Sequence, residues 1–230
     1  MIENLTIHSG ANDTKPNSKE YLIDALSCRY SFIEVDVRVS SDHICFLSHD
    51  GILNDIVLDT LKFEELKALD DDFLTLDDAI ILMKKHQAKL NIDIKDDKYI
   101  DDIVECIERN HFEDFCVFSG THLEGAKKIK KMNSKLNLIV NFEEQYYDDI
   151  EYYRDEYIKF SPYGININYL WMENPKFQML EDTKIPIYTW TVDDLEGYAI
   201  CKKNDVHNIT TNHPSLFMKI LQDKILQIVW

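Results

Sequence analysis

The chain has 230 residues and a mass of 27.1 kDa, enough for one or two domains and too little for a large multidomain machine. Its 42 Asp and Glu against 25 Lys and Arg leave a formal charge of −17, a sign that argues against nucleic acid and anionic membrane surfaces as partners. With 45% apolar and 11% aromatic residues the chain can bury a full core, so the acidity belongs to a folded surface and not to a disordered tail.

Apolar segments rich in β-branched residues alternate with segments of helical period from one end to the other. A first strand is expected at 5–8 and a helix at 19–28. A second strand at 32–39 is followed at once by a strand-like run at 44–48, which pairs with it as a hairpin through Ser40, Ser41 and Asp42. After a loop with one small helix near 64–68 and a helix at 76–86, strands are expected at 89–95, 115–118, 136–142, 164–169, 185–192 and 206–211. The helices between them fall at 99–110, 123–132, 145–157, 175–180 and 195–203, and a last one runs from 215 onward. Thr75 before Leu76 and Asn174 before Pro175 are natural N-caps. Eight βα units describe an α/β protein, a compact (β/α)8 TIM barrel with a small hairpin after strand 2, forming a single domain over 1–230. A doubly wound open sheet is the alternative.

Five cysteines (Cys28, Cys45, Cys106, Cys116, Cys201) without CxxC spacing lie among apolar residues, which points to a reducing compartment. No run approaches the roughly 18 apolar residues that a membrane span needs. Glu3 stands where a secretory leader wants positive charge, so a cytoplasmic protein is expected. The acidic triplet Asp70 to Asp72 and the basic cluster Lys127, Lys128, Lys130 and Lys131 read as solvated faces.

Residues i and i+2 of a strand share a face, and in a barrel the inward charges at strand C-termini are the ones that carry chemistry. In the second strand Glu34 and Asp36 share one face while Ile33, Val35 and Val37 take the other. In the third, Asn91, Asp93 and Lys95 alternate with Leu90, Ile92 and Ile94, and His8 closes the first. Burying three carboxylates together costs many kcal/mol or forces protonation. A divalent cation removes the problem, and an all-oxygen set from Glu34, Asp36 and Asp93 suits Mg²⁺, Mn²⁺ or Ca²⁺ better than zinc. A network of internal salt bridges with Lys95 and Arg38 is the competing account. His49 ends the hairpin run and returns toward the same rim, and two histidines beside a metal site suit acid and base roles in ester cleavage. His43, His86, His111, His122, His207 and His213 read as surface or capping residues.

These residues lie in an ordered series of short motifs. The chain opens with Ile7-His8-Ser9-Gly10 and Asn17-Ser18, then reads Phe32-Ile33-Glu34-Val35-Asp36-Val37, Ser48-His49-Asp50, Leu74-Thr75-Leu76-Asp77-Asp78-Ala79 and Asn91-Ile92-Asp93-Ile94-Lys95. It closes with Thr189-Trp190-Thr191-Val192-Asp193 and Thr211-Asn212-His213-Pro214. In order and spacing the series resembles the glycerophosphodiester phosphodiesterase family, a metal-dependent branch of the phosphodiesterase barrels. The family's motifs run His-Arg-Gly, Pro-Glu-Asn-Thr, Ile-Glu-x-Asp-Val, His-Asp, Thr-Leu-x-Glu, Asn-x-Glu-x-Lys, Trp-Thr-Val-Asn and Thr-Asp-x-Pro.

The resemblance implies hydrolysis of a glycerophosphodiester to glycerol phosphate and an alcohol. It makes His8 and His49 the acid/base pair, Glu34, Asp36 and Asp93 the metal ligands, and Lys95 a phosphate partner. Trp190 then packs at the glycerol or leaving-group side, with interior barrel packing as its other reading. Ser9 replaces the family's arginine, Pro16 takes the place of a glutamate, Asp93 is one methylene shorter than the usual glutamate, and the cover from Gly51 to Phe73 is short. Cyclising cleavage that releases a cyclic phosphate, and a non-catalytic barrel that binds a phosphodiester or glycan, are the alternative functions. The implied partner is a small-molecule phosphodiester or a glycerophosphate-bearing glycan.

Overall fold

A strand that is apolar on one face and carries carboxylates on the other has to keep the two faces in different surroundings. The computed structural model, which describes residues 4–28 and 30–218, does this by closing a barrel. Its strands are β1 (Asn4–Ile7), β2 (Phe32–Val39), β3 (Cys45–Leu47), β4 (Ile52–Leu53), β5 (Ile56–Val57), β6 (Leu90–Ile94), β7 (Cys116–Ser119), β8 (Asn137–Asn141), β9 (Gly164–Asn168), β10 (Ile187–Trp190) and β11 (Asn208–Thr211). Eight of them, β1-β2-β6-β7-β8-β9-β10-β11, pair in parallel, and β11 pairs back onto β1 with Ile7 opposite Thr211. That closure excludes the open sheet. The run after β2 is the expected hairpin partner, since β3 lies antiparallel with Val37 opposite Leu47.

The helices are α1 (Lys19–Ser27), α2 (Phe63–Leu69), α3 (Leu76–His86), α4 (Ile100–Arg109), α5 (Leu123–Met132), α6 (Ile150–Phe160), α7 (Gln178–Glu181) and α8 (Leu195–Lys203). Along α4, Ile100, Ile103, Val104 and Ile107 fall on one face and are buried, each side chain stabilising the fold by about 1.5–3 kcal/mol. Ile33, Val35, Val37 and Val39 form the corresponding outer face of β2, all fully buried. Helix α3 is capped as the sequence suggests. Thr75 Oγ1 accepts the Asp78 N–H at 3.0 Å, and Asp78 Oδ2 accepts the Thr75 N–H at 3.1 Å.

Phe32, Val117, Ile139 and Tyr188 pack together across the inside of the barrel and form its floor. Gly164 permits this arrangement, because a Cβ there would lie 2.5 Å from the Tyr188 ring. Over β3 the short cover forms a small core of its own from Phe46, Leu58 and Leu66, with Leu53, Phe63 and Phe73 against it. Lys15 ties this cover to the loop after β1 by ion pairs to Asp70 at 2.8 Å and Asp72 at 2.7 Å, and Lys67 pairs with Asp71 at 3.0 Å, so that the whole acidic triplet is paired.

Two helix expectations shift. Residues Glu144–Tyr147 form a 3-10 turn, whose Tyr147 hydroxyl donates to the Trp171 carbonyl at 2.8 Å, and α6 begins only at Ile150. The helix expected at 175–180 breaks into a 3-10 turn, Pro175–Phe177, followed by the short α7. Residues 214–218 are helical, and the rest of the expected last helix lies outside the described residues. All five cysteines are free, four of them buried. No described helix is long and apolar enough to cross a membrane.

Candidate active site

The register of β2 against β6 sets Glu34 opposite Asn91 and Asp36 opposite Asp93, on the face that points into the barrel mouth. One oxygen each from Glu34, Asp36 and Asp93 lie within 4.8 Å of one another. Glu34 and Asp36 are buried, at 3% and 2% exposure. Glu34 Oε2 accepts the Ser9 N–H at 2.8 Å, whereas Oε1 is buried with no hydrogen-bond partner. Burial, then the charges of Asp36 and Asp93, push the Glu34 carboxyl well above its ordinary range.

Burial also pushes Asp36 upward, but the Lys95 ammonium at 2.7 Å and the Asn17 amide outweigh it and hold this carboxyl below its usual value. Burial raises Asp93, and Lys95 at 3.2 Å offsets only part of the rise. Lys95 itself is raised, since Asp93 and Asp36 outweigh the opposing effect of its burial. One ammonium among three carboxylates leaves excess negative charge and one unsatisfied buried oxygen. These hard oxygen donors fit a divalent cation.

Several residues hold this set in place. The Asn17 side chain donates to Asp36 Oδ2 at 2.7 Å and accepts the Asp36 N–H at 3.0 Å. Ser9 Oγ accepts the Asn17 N–H at 3.0 Å. The Tyr21 hydroxyl, fully buried on α1, is shared between the carbonyls of Ile7 and Glu34, each at 2.8 Å, and so ties β1 to β2. Gly120 backs Asp93 from the end of β7. Its φ of +79° is open to glycine, and a Cβ there would stand 1.8 Å from Asp93 Oδ1.

The two histidines approach from different elements. His8 follows β1 with Nδ1 2.8 Å from Asn212 Oδ1. His49 follows β3 with Nδ1 2.9 Å from Asp50 Oδ1. Arg38 does not join the carboxylates as the salt-bridge account requires. Its guanidinium donates to the His49 carbonyl, from Nε at 3.2 Å and Nη2 at 2.8 Å, and so braces the backbone that carries His49.

Two cavities meet at this pair, and His8 and His49 line both. One, of about 500 Å³, opens into the barrel mouth and includes Glu34, Asp93, Lys95 and Trp190. The other, of about 350 Å³, lies under the short cover and includes Ser9, Asp36 and the apolar Leu53, Leu58 and Phe73. All eight residues singled out in the sequence therefore come together around one pair of joined cavities. Trp190 is half-buried, with its ring edge-on to Trp171 at 6.2 Å between centroids, so it packs and faces the cavity at once.

Asn91, already on the inward face with Asp93 and Lys95, lines the mouth cavity, and so do Asn141, Asn166 and Glu143, which the sequence reading does not single out. Inward parity would have found the asparagines. Leu138-Ile139-Val140-Asn141 and Ile165-Asn166-Ile167-Asn168 place amides at positions where a packed barrel interior wants apolar groups.

The family model described as the glycerophosphoryl diester phosphodiesterase family matches residues 8–216. No curated protein matches the sequence. Among solved structures, the chain is similar to a glycerophosphodiester phosphodiesterase from Thermotoga maritima, with 22% identity, 96% of this chain and 98% of that one covered, and a TM-score of 0.82. A glycerophosphodiester phosphodiesterase from Parabacteroides distasonis gives 18% identity, 96% and 98% coverage, and a TM-score of 0.83. An Oleispira antarctica phosphodiesterase in complex with the product sn-glycerol-3-phosphate gives 16%, 96% and 97%, and 0.77. With a family model spanning nearly the whole barrel and the acidic mouth it encloses, the chain belongs to the glycerophosphoryl diester phosphodiesterase family and is a phosphoric diester hydrolase.

Proposed function

We propose that this one barrel domain hydrolyses glycerophosphodiesters to glycerol phosphate and an alcohol, with a divalent cation held by Glu34, Asp36 and Asp93 and with His8 and His49 as the acid/base pair. The observation that carries the reading is Glu34 Oε1, a buried acceptor without a partner beside two further carboxylates. A ligand position explains an unsatisfied carboxylate oxygen that protein packing does not. Mg²⁺, Mn²⁺ and Ca²⁺ all suit the donor set. When bound, such a cation supplies Lewis-acid stabilisation of the charge that develops on the phosphoryl oxygens.

The chain's own residues do the rest. Nδ1 of each histidine is engaged, by Asn212 and by Asp50, which leaves Nε2 of each ring for proton transfer to or from substrate. Lys95, fixed between Asp36 and Asp93, adds a positive charge at the phosphate. Trp190 flanks the substrate, and the Ser9 N–H orients Glu34. The amides of Asn91, Asn141 and Asn166 suit the hydroxyl groups of a glycerol phosphate, the product bound by the Oleispira relative. Buried free thiols accord with the cytoplasm as the compartment. The test is a screen of phosphodiesters, including glycerophosphocholine and a glycerophosphate-bearing glycan, with glycerol 3-phosphate as readout. Activity should vanish in excess chelator and return with Mg²⁺, Mn²⁺ or Ca²⁺, and full activity in chelator refutes the metal site.

A further inference from the structure

A phosphodiester has two arms, and the site has two cavities that meet at His8 and His49. Their walls differ in chemistry. The mouth cavity carries the charged Glu34, Asp93 and Lys95 and the amides of Asn91, Asn141 and Asn166. The cavity under the cover is walled instead by Leu47 of β3, Ile52 and Leu53 of β4, Leu58 just after β5, and Phe73 after α2. The carboxylates that border it already have partners. Asp70 and Asp72 pair with Lys15, Asp50 lies 2.9 Å from His49 Nδ1, and Lys95 holds Asp36 at 2.7 Å.

Two departures from the family's motifs fall on this same cavity. Ser9 and Pro16, standing where those motifs carry an arginine and a glutamate, line the cavity under the cover and not the mouth. The family's pair would put a cation and an anion on that wall, whereas a proline ring and a serine hydroxyl engaged with the Asn17 N–H put no charge there. Ile52 carries the apolar wall outward, since it is 60% exposed and sits opposite Val57 in the β4–β5 pair. The cover has its own core and its Lys15 ion pairs, so the cavity is formed before substrate arrives. A sugar there would lay its hydroxyls against Leu53, Leu58 and Phe73, at a cost in lost hydration. An ammonium would meet carboxylates that are already paired.

We propose that the cavity under the cover is the subsite for the alcohol arm of the substrate, and that it selects an uncharged, hydrocarbon-bearing alcohol. This rests on the hydrolysis of glycerophosphodiesters proposed above. The phosphate lies at the junction of the cavities, beside His8, His49 and the three carboxylates. The glycerol arm occupies the mouth, where amides meet its hydroxyls, and the alcohol arm enters under the cover, a longer chain running out along Ile52. Contacts with this unreacting part of the substrate supply binding energy that the absent arginine does not.

The test takes the full chain with Mn²⁺ and glycerophosphodiesters of ethanol, butanol, hexanol and octanol, beside glycerophosphocholine and its uncharged isostere with a quaternary carbon in place of the nitrogen. Release of glycerol 3-phosphate gives kcat/KM. It should rise roughly 2- to 4-fold per added methylene until the chain reaches solvent, and the isostere should exceed glycerophosphocholine. Leu53→Trp, which fills the cavity, should cut kcat/KM for the hexyl ester about tenfold relative to the ethyl ester. Ile52→Ser, at a surface position that leaves the core intact, should reduce the gain from hexyl to octyl and serves where Leu53→Trp does not fold. A flat series, a preference for glycerophosphocholine over its isostere, or a chain-length dependence unchanged in the variants overturns the proposal. If no ester is hydrolysed, the proposed function falls, and titration calorimetry with the ethyl and hexyl esters still decides the subsite: tighter hexyl binding that Leu53→Trp or Ile52→Ser weakens supports it, and equal affinities overturn it.

Discussion

Glu34→Gln sets two properties of one carboxylate against each other. Without a cation, Glu34 buries an acceptor that nothing satisfies, next to Asp36 and Asp93. Glutamine keeps the length and an oxygen for the Ser9 N–H, and turns the other acceptor into a donor toward those two carboxylates. Relieving a buried unsatisfied acceptor is worth about 1–3 kcal/mol. For a chain of this size 1 kcal/mol moves the melting midpoint by about 2–4 °C, so the metal-free variant should melt about 2–12 °C above the metal-free wild type. The difference depends on pH in a fixed direction. Glu34 is raised above its unfolded value near about 4.3, so its contribution to wild-type stability is complete below that value and is lost as the pH climbs through the folded one. The gap between variant and wild type should accordingly widen from acid toward alkaline pH. A cation closes most of this gap or reverses it, because at 100 times its Kd it stabilises the wild type by about 2.7 kcal/mol, whereas the variant has lost a ligand. Scanning calorimetry in chelator and in Mn²⁺, across a pH series, reads all three effects. A variant that melts below the wild type in chelator, or that retains the full cation-induced shift, refutes the reasoning.

His8→Ala and His49→Ala should each lower kcat by roughly 10² to 10⁴. A p-nitrophenyl diester, whose leaving group needs little protonation, should restore much of the rate to the variant that lacks the acid and not to the one that lacks the base; a His49→Ala enzyme with ordinary kcat on glycerophosphocholine removes that residue from the mechanism. Ser9→Arg alone deletes the hydroxyl that accepts the Asn17 N–H and should weaken cation binding by titration calorimetry, while Ser9→Arg with Pro16→Glu supplies a carboxylate for the guanidinium and should lower KM for glycerophosphocholine. An unchanged KM in the double variant marks Ser9 as a neutral substitution. Gly120→Ala drives a methyl into Asp93 Oδ1 and the Ile94 carbonyl at a positive φ, and should abolish the cation-induced thermal shift even where the protein still folds.

The barrel was legible because the sequence states it in two independent ways. The outer faces of the strands repeat with period two and the helices with period 3.6, as in β2 and α4, and both patterns follow from burial alone. The inward charges stand out against that background, so parity alone places Glu34, Asp36, Asp93 and Lys95 on the inner face. What parity does not encode is the contact between a loop residue and a strand residue. Asn17 sits in a turn with φ of 59°, and its grip on Asp36 depends on how the β1 loop folds back under Ser9. Asp193 and Asn212 lie in loops after neighbouring strands, and their meeting at His8 is set by the closure of β11 on β1. The Tyr147 to Trp171 bond is of the same kind, since it joins segments whose local sequences give no sign of each other.

The departure at Ser9 has a local physical logic that follows from the same loop. Its backbone N–H holds Glu34 Oε2, and its hydroxyl holds the Asn17 N–H, whose side chain in turn holds Asp36 at both the carboxylate and the N–H. A single small residue thereby couples the two buried carboxylates of β2 to the loop that begins with His8. An arginine would keep the first of these bonds and lose the second, because no short hydroxyl would remain to accept from Asn17. The chain has exchanged a long-reaching cation for a brace under Glu34 and Asp36. Lys95 does not replace that cation freely, as it is already committed to Asp36 at 2.7 Å and Asp93 at 3.2 Å. In a protein of formal charge −17, an anionic substrate depends on whatever neutralises those carboxylates first. Substrate affinity should therefore rise and fall with cation occupancy more steeply here than in a relative that keeps the arginine.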